Sequence, residues 1–303
     1  MLVPQAMAYA FLAGVPPIYG LYASVVPLIL YALLGSSRRM SVGPVAVSAL
    51  LVLAGVSQIE PVGTARYIQL VITAGYLIGM LQFLLGLFRM GFLVNFLSHP
   101  VVSGFTSAAA FIILFSQMGS LLGVNIPQSD HLLETVSHTF WEIHNSNWLT
   151  VLISFGSIAI ILASKFISKR LPGPLIAVVL GTGLSYMLNW DAQGVAIIGS
   201  VPEGMPSLKL PFLDFATVHA LTPTVFTVTI IGIVESYGIA KVLESKHRST
   251  SLKPNQELFA LGTAKIIGAF FQAIPTSGSF SRSAVNDQAG ACLLYTSPSP
   301  RDS

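Results

Sequence analysis

The chain has 303 residues, 53% of them hydrophobic and only 9% charged, with a mean hydropathy of +0.75 and a formal net charge of +3. A soluble domain carries about a quarter charged residues, so this composition excludes a water-soluble fold and describes a polytopic membrane protein. The basic residues sit at segment ends, so the charge reflects topology and implies no nucleic-acid partner. One cysteine, Cys292, provides no disulfide framework. The opening Met1-Leu2-Val3-Pro4 lacks the basic region of a signal peptide.

In chain order, residues 6–15 are apolar but too few to span a hydrocarbon core, which needs about 20. The upstream half of this first helix is expected to lie outside the chain. On it, Gln5 and Tyr9 are spaced i, i+4 and share a face. Gln donates to oxyanions and Tyr gives an aromatic wall with a polar tip, although such a pair also serves as interhelical glue. Segment two covers 18–35. Segment three, 40–56, is broken by Ser41-Val42-Gly43-Pro44-Val45-Ala46-Val47-Ser48 ahead of an apolar run. Segments four and five cover 67–88 and 92–122. His99-Pro100 is expected at the inner interface.

The loop 123–147 contains Asp130, Glu134 and Glu142 without Lys or Arg, as an outside loop should. Its His131, His138 and His144 lack the spacing of a metal site and are expected to be solvated loop residues. Segments six, seven, eight and nine cover 148–166, 174–188, 223–243 and 258–274. Glycines at 75 and 79, and at 181 and 183, are expected to serve close helix packing. Segment ten starts at a second break, Pro275-Thr276-Ser277-Gly278-Ser279-Phe280-Ser281-Arg282-Ser283. From Cys292 to Ser303 the membrane pattern ends abruptly. That string is similar to a translated sequencing adapter, so residues 292–303 are expected to be a non-native tail.

With the loop after segment two inside, the inner ends hold Arg38, Arg39, Arg89, Lys165, Lys169, Arg170, Lys241, Lys246, Arg248 and Lys253. The outer loops hold only Arg66 and Lys209, which sets the orientation.

Each break reads as a helix that begins within the membrane. Its N-terminus carries about half a positive charge and free N–H donors, and two such ends aimed at one point would hold an anion. Interrupted segments in corresponding halves point to a secondary transporter's binding site. Glu235 lies deep in segment eight, where an acid costs several kcal/mol (about 2.5–3.5 on insertion scales) and is a functional hypothesis by default. Gly232 and Gly238 flank it at i−3 and i+3, which predicts close packing around it. The alternative is a structural Glu bonded to a neighbouring helix. Arg282, in the first turn of the second half-helix, is unfavourable there unless an anion offsets the charge or Glu235 pairs with it. Lys265, within segment nine, either snorkels or pairs with an acid.

The motifs Pro17-Ile18-Tyr19-Gly20-Leu21-Tyr22-Ala23-Ser24, with Tyr31 and Gly35-Ser36-Ser37-Arg38, resemble the signature of the sulfate permease (SulP) family of anion transporters. So do Pro4-Gln5-Ala6-Met7-Ala8-Tyr9-Ala10, the stretch 97–105 and Ser277-Gly278-Ser279-Phe280-Ser281-Arg282-Ser283. The resemblance covers 1–291 as a transmembrane domain.

It implies an all-α polytopic fold of fourteen segments in two inverted repeats of seven, here incomplete, with half-helices at segments three and ten. A core domain would move against a gate domain. Segments eleven to fourteen and a cytoplasmic STAS domain would lie outside the chain. By the same match Gln5, Tyr9, Val45 and Ser281-Arg282 would line the anion site, and Glu235 would hold the place of an acid linked to ion or proton coupling. Gly43, Pro44, Ala46, Ser279 and Phe280 complete the two half-helix starts expected at the site.

The function expected is secondary active transport of a small inorganic anion, sulfate by family, coupled to protons, with no cofactor and no metal. The setting expected is the inner (plasma) membrane of a bacterium, with a homodimer in the full-length form. Alternatives are sodium-coupled bicarbonate uptake and a channel or exchanger of the same fold. An intramembrane serine protease at Gly278-Ser279 would need a histidine that only His99 could supply. The absence of a Walker-type loop argues against a primary pump, and no enzyme activity is expected.

Overall fold

The computed structural model describes residues 2–92, 99–124, 132–167, 173–197, 204, 206–247 and 252–288. The elements are α1 Leu2–Leu12, α2 Pro17–Ala23, α3 Val26–Leu34, β1 Val42–Gly43, α4 Ala46–Val56, α5 Ala65–Leu87, α6 His99–Leu122, α7 Leu132–Glu142, α8 Trp148–Ile167, α9 Gly173–Met187, α10 Phe215–His247, α11 Pro254–Phe270, β2 Ser277–Gly278 and α12 Phe280–Gln288. Among the described residues Pro17–Leu34, Ala65–Leu87 and Phe215–Glu244 are long and apolar enough to cross a membrane. Leu2–Leu12, Ala46–Val56 and Gly173–Met187 are shorter apolar helices. Residues 93–98, Asp130, His131, Lys169, Arg170, Arg248 and the tail 292–303, all named above, lie outside the described residues.

The chain forms two compact units. One is built from Ser103–Val201 and contains most of α6 and all of α7 to α9. There Asn147 starts α8, its Oδ1 accepting from the N–H groups of Leu149 and Thr150 while its Nδ2 donates to the Gln193 carbonyl. The expected loop 123–147 contains a helix, α7, because its apolar positions 132, 133, 136 and 140 recur on one helical face. His138 therefore sits on a helix and His144 in a 3₁₀ turn, both exposed. Among the described residues of this unit nothing lies within 4 Å of where a Cβ at Gly181 or Gly183 would sit, so these glycines serve no close approach there.

The larger unit joins Leu2–Val102 to Pro202–Ser303. Lipid tails are as apolar as leucine, so helices here are held by close packing and polar contacts rather than by escape from water. α5 and α11 show how. A Cβ on Gly79 would lie 2.7 Å from that of Lys265 and 2.8 Å from the Ile266 nitrogen, and one on Gly262 would meet the Phe83 backbone. The backbones touch because these positions have no side chain, as expected for Gly79. Gly75 packs more loosely, 3.3 Å from Pro275. The apolar core around Val52, Tyr67, Leu70, Val71, Ile78, Leu221 and Val228 fills the space between α4, α5 and α10.

Three boundaries differ from the sequence reading. Segment two is two helices, because Pro27 cannot donate to the turn before it, and the chain kinks at Ser24-Val25. Segment eight starts at Phe215 and carries Pro223 inside it. The hydroxyls of Thr222 and Thr227 donate to the Val218 and Pro223 carbonyls around that interruption. The half-helices α4 and α12 start at Ala46 and Phe280, before the polar runs end. Ser48 and Ser283 thus belong to the helices and not to the breaks.

Between the breaks lies an element absent from the sequence reading. β1 and β2 pair antiparallel, with Val42 opposite Gly278 and Gly43 opposite Ser277. Two equivalent chain segments related by a two-fold axis in the membrane plane run in opposite directions, so the antiparallel pair is what an inverted repeat requires at its centre.

Candidate functional site

The two breaks are bound together on both sides of the ladder. The Ser279 N–H donates to the Ser41 carbonyl at 3.0 Å, and the Ser41 N–H to Ser283 Oγ at 2.9 Å. Arg39 Nη1 reaches Asp287 Oδ1 at 2.9 Å, closing the same two segments through an ion pair whose acid is buried. Behind β2, Ser236 of α10 shares a hydrogen bond with Ser277 Oγ (2.7 Å) and accepts from the Gly278 N–H (2.9 Å). Ser277 Oγ also donates to the Gly232 carbonyl at 3.3 Å. These contacts fix the start of α4 against that of α12, with α10 as backing.

Arg282 stands at this junction. It is 4% exposed. Its Nη1 donates to the Pro44 carbonyl at 2.9 Å and, at 3.4 Å, to Gln5 Oε1 of α1. Among the described residues its Nε and Nη2, both buried, have no hydrogen-bond partner. A Cβ on Gly43 would lie 3.2 Å from Nη2, so glycine there leaves room for the guanidinium. α4 has no side-chain cap at its N-terminus, where Val45 is extended and buried, so its first N–H groups remain free donors. The α12 start is capped weakly, Ser279 Oγ accepting from the Arg282 N–H at 3.5 Å.

The predicted residues divide as follows. Gln5, Gly43, Pro44 and Arg282 meet directly. Tyr9 and Glu235 both lie within electrostatic reach of Arg282. Val45 and Ser279 are buried and Ala46 half-buried, whereas Phe280 and Ser281 are exposed, Ser281 lying 3.4 Å from the Ser279 hydroxyl. Among the described residues no ion pair joins Arg282 to Glu235, and Glu235 Oε2 is buried without a partner. The expected close packing around Glu235 is partial. A Cβ on Gly232 would touch Gln82 and Ser277 at 3.7 Å, while Gly238 faces open space. The side of α10 that meets the breaks is that of Gly232 and Ser236.

Sequence reasoning missed the Arg39–Asp287 pair, Ser41, Ser236, Ser277 and Gln82. Gln82 alone left a legible signal, a buried amide in an apolar segment, where a polar side chain is retained for a partner. That partner is Lys265, whose Nζ donates to Gln82 Oε1 at 2.7 Å. Lys265 is 5% exposed, so it does not snorkel.

The sequence matches the sulfate permease family over residues 1–292. It is 40% identical to "Sulfate transporter 4.1, chloroplastic" of Arabidopsis thaliana over 299 residues, 96% of this chain and 43% of that protein. It is 34% identical to a "Probable sulfate transporter" of Mycobacterium tuberculosis over 290 residues, 95% and 51% respectively. The chain thus spans about half the length of the curated relatives it matches. The fold superposes on SLC26A9 with a TM-score of 0.89 and 27% identity, covering 96% of this chain and 49% of that one. It also superposes on the transmembrane domain of a cyanobacterial bicarbonate transporter, BicA, with a TM-score of 0.83 and 23% identity, covering 97% and 75%. The chain is an integral, multi-pass membrane protein of inverted-repeat fold, and it belongs to the sulfate permease family, a family of transporters and not of enzymes.

Proposed function

We propose that this chain forms the anion-binding part of a secondary active transporter that carries a small inorganic anion, sulfate first, with protons. The observation that carries the reading is Arg282, buried where two half-helices begin, with Nε and Nη2 unpartnered. A guanidinium with two free nitrogens is the donor set that recognises an oxyanion. The free N–H groups at the start of α4 add partial positive charge on the same side. Gln5 and Pro44 hold the guanidinium through Nη1 and leave its other donors for substrate.

Glu235 supplies the coupling. Ionised, it cancels part of the positive field around Arg282; protonated, it restores that field, so anion and proton bind together. An anion that binds one conformation better than the other then shifts the equilibrium between them. On this reading residues 1–291 belong to the transmembrane domain and 292–303 form a non-native tail. The protein works in a bacterial plasma membrane as a homodimer.

The test uses the full reading frame that encodes this chain, in a bacterium deficient in sulfate uptake, with labelled sulfate at acid and neutral pH. Uptake is expected to require Arg282 and to rise as external pH falls. In Glu235→Gln the pH dependence is expected to flatten; an unchanged pH profile would remove the proton role. Absence of sulfate uptake from a well-expressed protein, together with sodium-dependent bicarbonate uptake, would overturn the sulfate assignment in favour of bicarbonate.

A further inference from the structure

The transport reading above uses one buried cation, yet the larger unit contains a second. Lys265 of α11 lies inside the bundle with its ammonium on Gln82 Oε1 at 2.7 Å. Gln82 is fully buried, and among the described residues its own Nε2 has no partner. Gln82 Nε2 and Ser277 Oγ each lie 3.7 Å from where a Cβ on Gly232 would sit. The Lys265–Gln82 pair and the second break therefore meet α10 at the same glycine, three residues along the helix from Glu235. Glu235 interacts electrostatically with both Lys265 and Arg282, and it forms a direct ion pair with neither.

The charges that face this region can be named element by element. α1 brings Gln5 and Tyr9, both neutral, and α5 brings the neutral amide of Gln82. α10 brings Glu235, α11 brings Lys265 and α12 brings Arg282. Asp287 of α12 is neutralised by Arg39. Glu257 of α11 lies two turns from Lys265 and is held by Tyr31, Ser36 and Ser37. Among the described residues the interior near the breaks thus contains two basic groups and one acid. Counting both basic groups as protonated, its net charge is +1 with Glu235 ionised and +2 with Glu235 protonated.

Uncompensated charge inside a membrane is costly. The substrate that best neutralises the protonated site is a dianion. Remove Lys265 and the same site carries +1 when Glu235 is protonated, which a monoanion neutralises.

We infer that Lys265, positioned by Gln82, is the residue that sets the valence of the transported anion, selecting a divalent oxyanion over monovalent ones. The inference rests on the anion-site reading of Arg282 and goes beyond it. Lys265 does not touch the substrate; it acts through the field at the break.

The experiment measures labelled sulfate uptake in proteoliposomes containing the full-length protein, and the chloride concentration that halves it. Wild type is expected to resist chloride. Lys265→Met is expected to make chloride at least tenfold more effective. Gln82→Glu leaves the lysine in place but puts a carboxylate where its amide acceptor stands, and is expected to act in the same direction. Both proteins are checked for folding by gel filtration in detergent. Should Lys265→Met not fold, Gln82→Glu decides alone. Should neither fold, wild type decides: its chloride resistance is expected to grow as pH falls, and resistance independent of pH overturns the inference. Folded variants with wild-type chloride sensitivity also overturn it while leaving the Arg282 reading intact. A wild-type protein that takes up no sulfate, or takes it up without Arg282, instead overturns the transport reading beneath it.

Discussion

Two glutamates of the larger unit with buried carboxylate oxygens meet opposite surroundings. Glu257, in the first turn of α11, is 2% exposed and saturated with donors. Tyr31 Oη reaches its Oε2 at 2.8 Å, and Ser36 N, Ser36 Oγ and Ser37 N reach its Oε1 at 2.7–2.8 Å. Glu235, mid-helix in α10, has a buried oxygen with no partner among the described residues. A carboxylate with both oxygens hydrogen-bonded by the protein is a fastener: it ties α11 to the end of α3. One left unsatisfied in a low-dielectric interior is costly to keep, and its free acceptor is where a proton can bind. Satisfaction of their hydrogen bonds separates the two.

The contrast can be broken most severely at Glu257. Glu257→Ala would orphan the Tyr31, Ser36 and Ser37 donors and cost about 3–5 kcal/mol, read as a large fall in the detergent melting temperature. A melting temperature near wild type would show that the inner fastener is dispensable.

Gly262→Leu attacks the frame instead, driving a side chain into the Phe83 backbone. It should cost about 1–3 kcal/mol and disturb the Lys265–Gln82 pair as well, so its melting temperature and its chloride sensitivity should change together.

Arg282→Lys keeps the charge but loses the planar fork that bonds Pro44 while leaving other donors free. The sulfate concentration for half-maximal uptake should rise at least tenfold, equivalent to about 1.4 kcal/mol, with little change in melting.

Asp287→Asn removes the charge from the ion pair to Arg39, whose acid is buried and whose base is partly exposed, and should cost about 1–2 kcal/mol. Glu235→Gln should alter melting least of all while flattening the pH profile of uptake. A large melting loss there would make Glu235 a second fastener and end the distinction.

Much of this was legible in the residues. Composition gave the membrane class, and the two polar interruptions marked the half-helices, because serine, glycine and proline in an apolar segment have few other reasons to be there. Glu235 and Arg282 stood out as charges in hydrocarbon. The signature around Gly35-Ser36-Ser37 was recognisable as a motif, but its physical reason, a grip on Glu257 more than two hundred positions later, was not. The strand pair was invisible because two residues per strand produce no alternation to detect. The helix starts were misplaced because serine suits both a break and a first turn, and only the bond from Ser41 to Ser283 decides between them.

By itself, then, the sequence determined the solvent the chain lives in, its span order and the charges it commits to the interior, since these follow from hydropathy and from the cost of burying an ion. Tertiary structure alone decided which charges are satisfied. Lys265 finds Gln82, Arg39 finds Asp287, and Glu257 collects its donors across the fold, while Arg282 and Glu235 retain free atoms. The physical reason is range: hydropathy is a property of neighbouring residues, whereas a hydrogen bond needs its partner within about 3 Å, and here the partners are up to 277 positions apart.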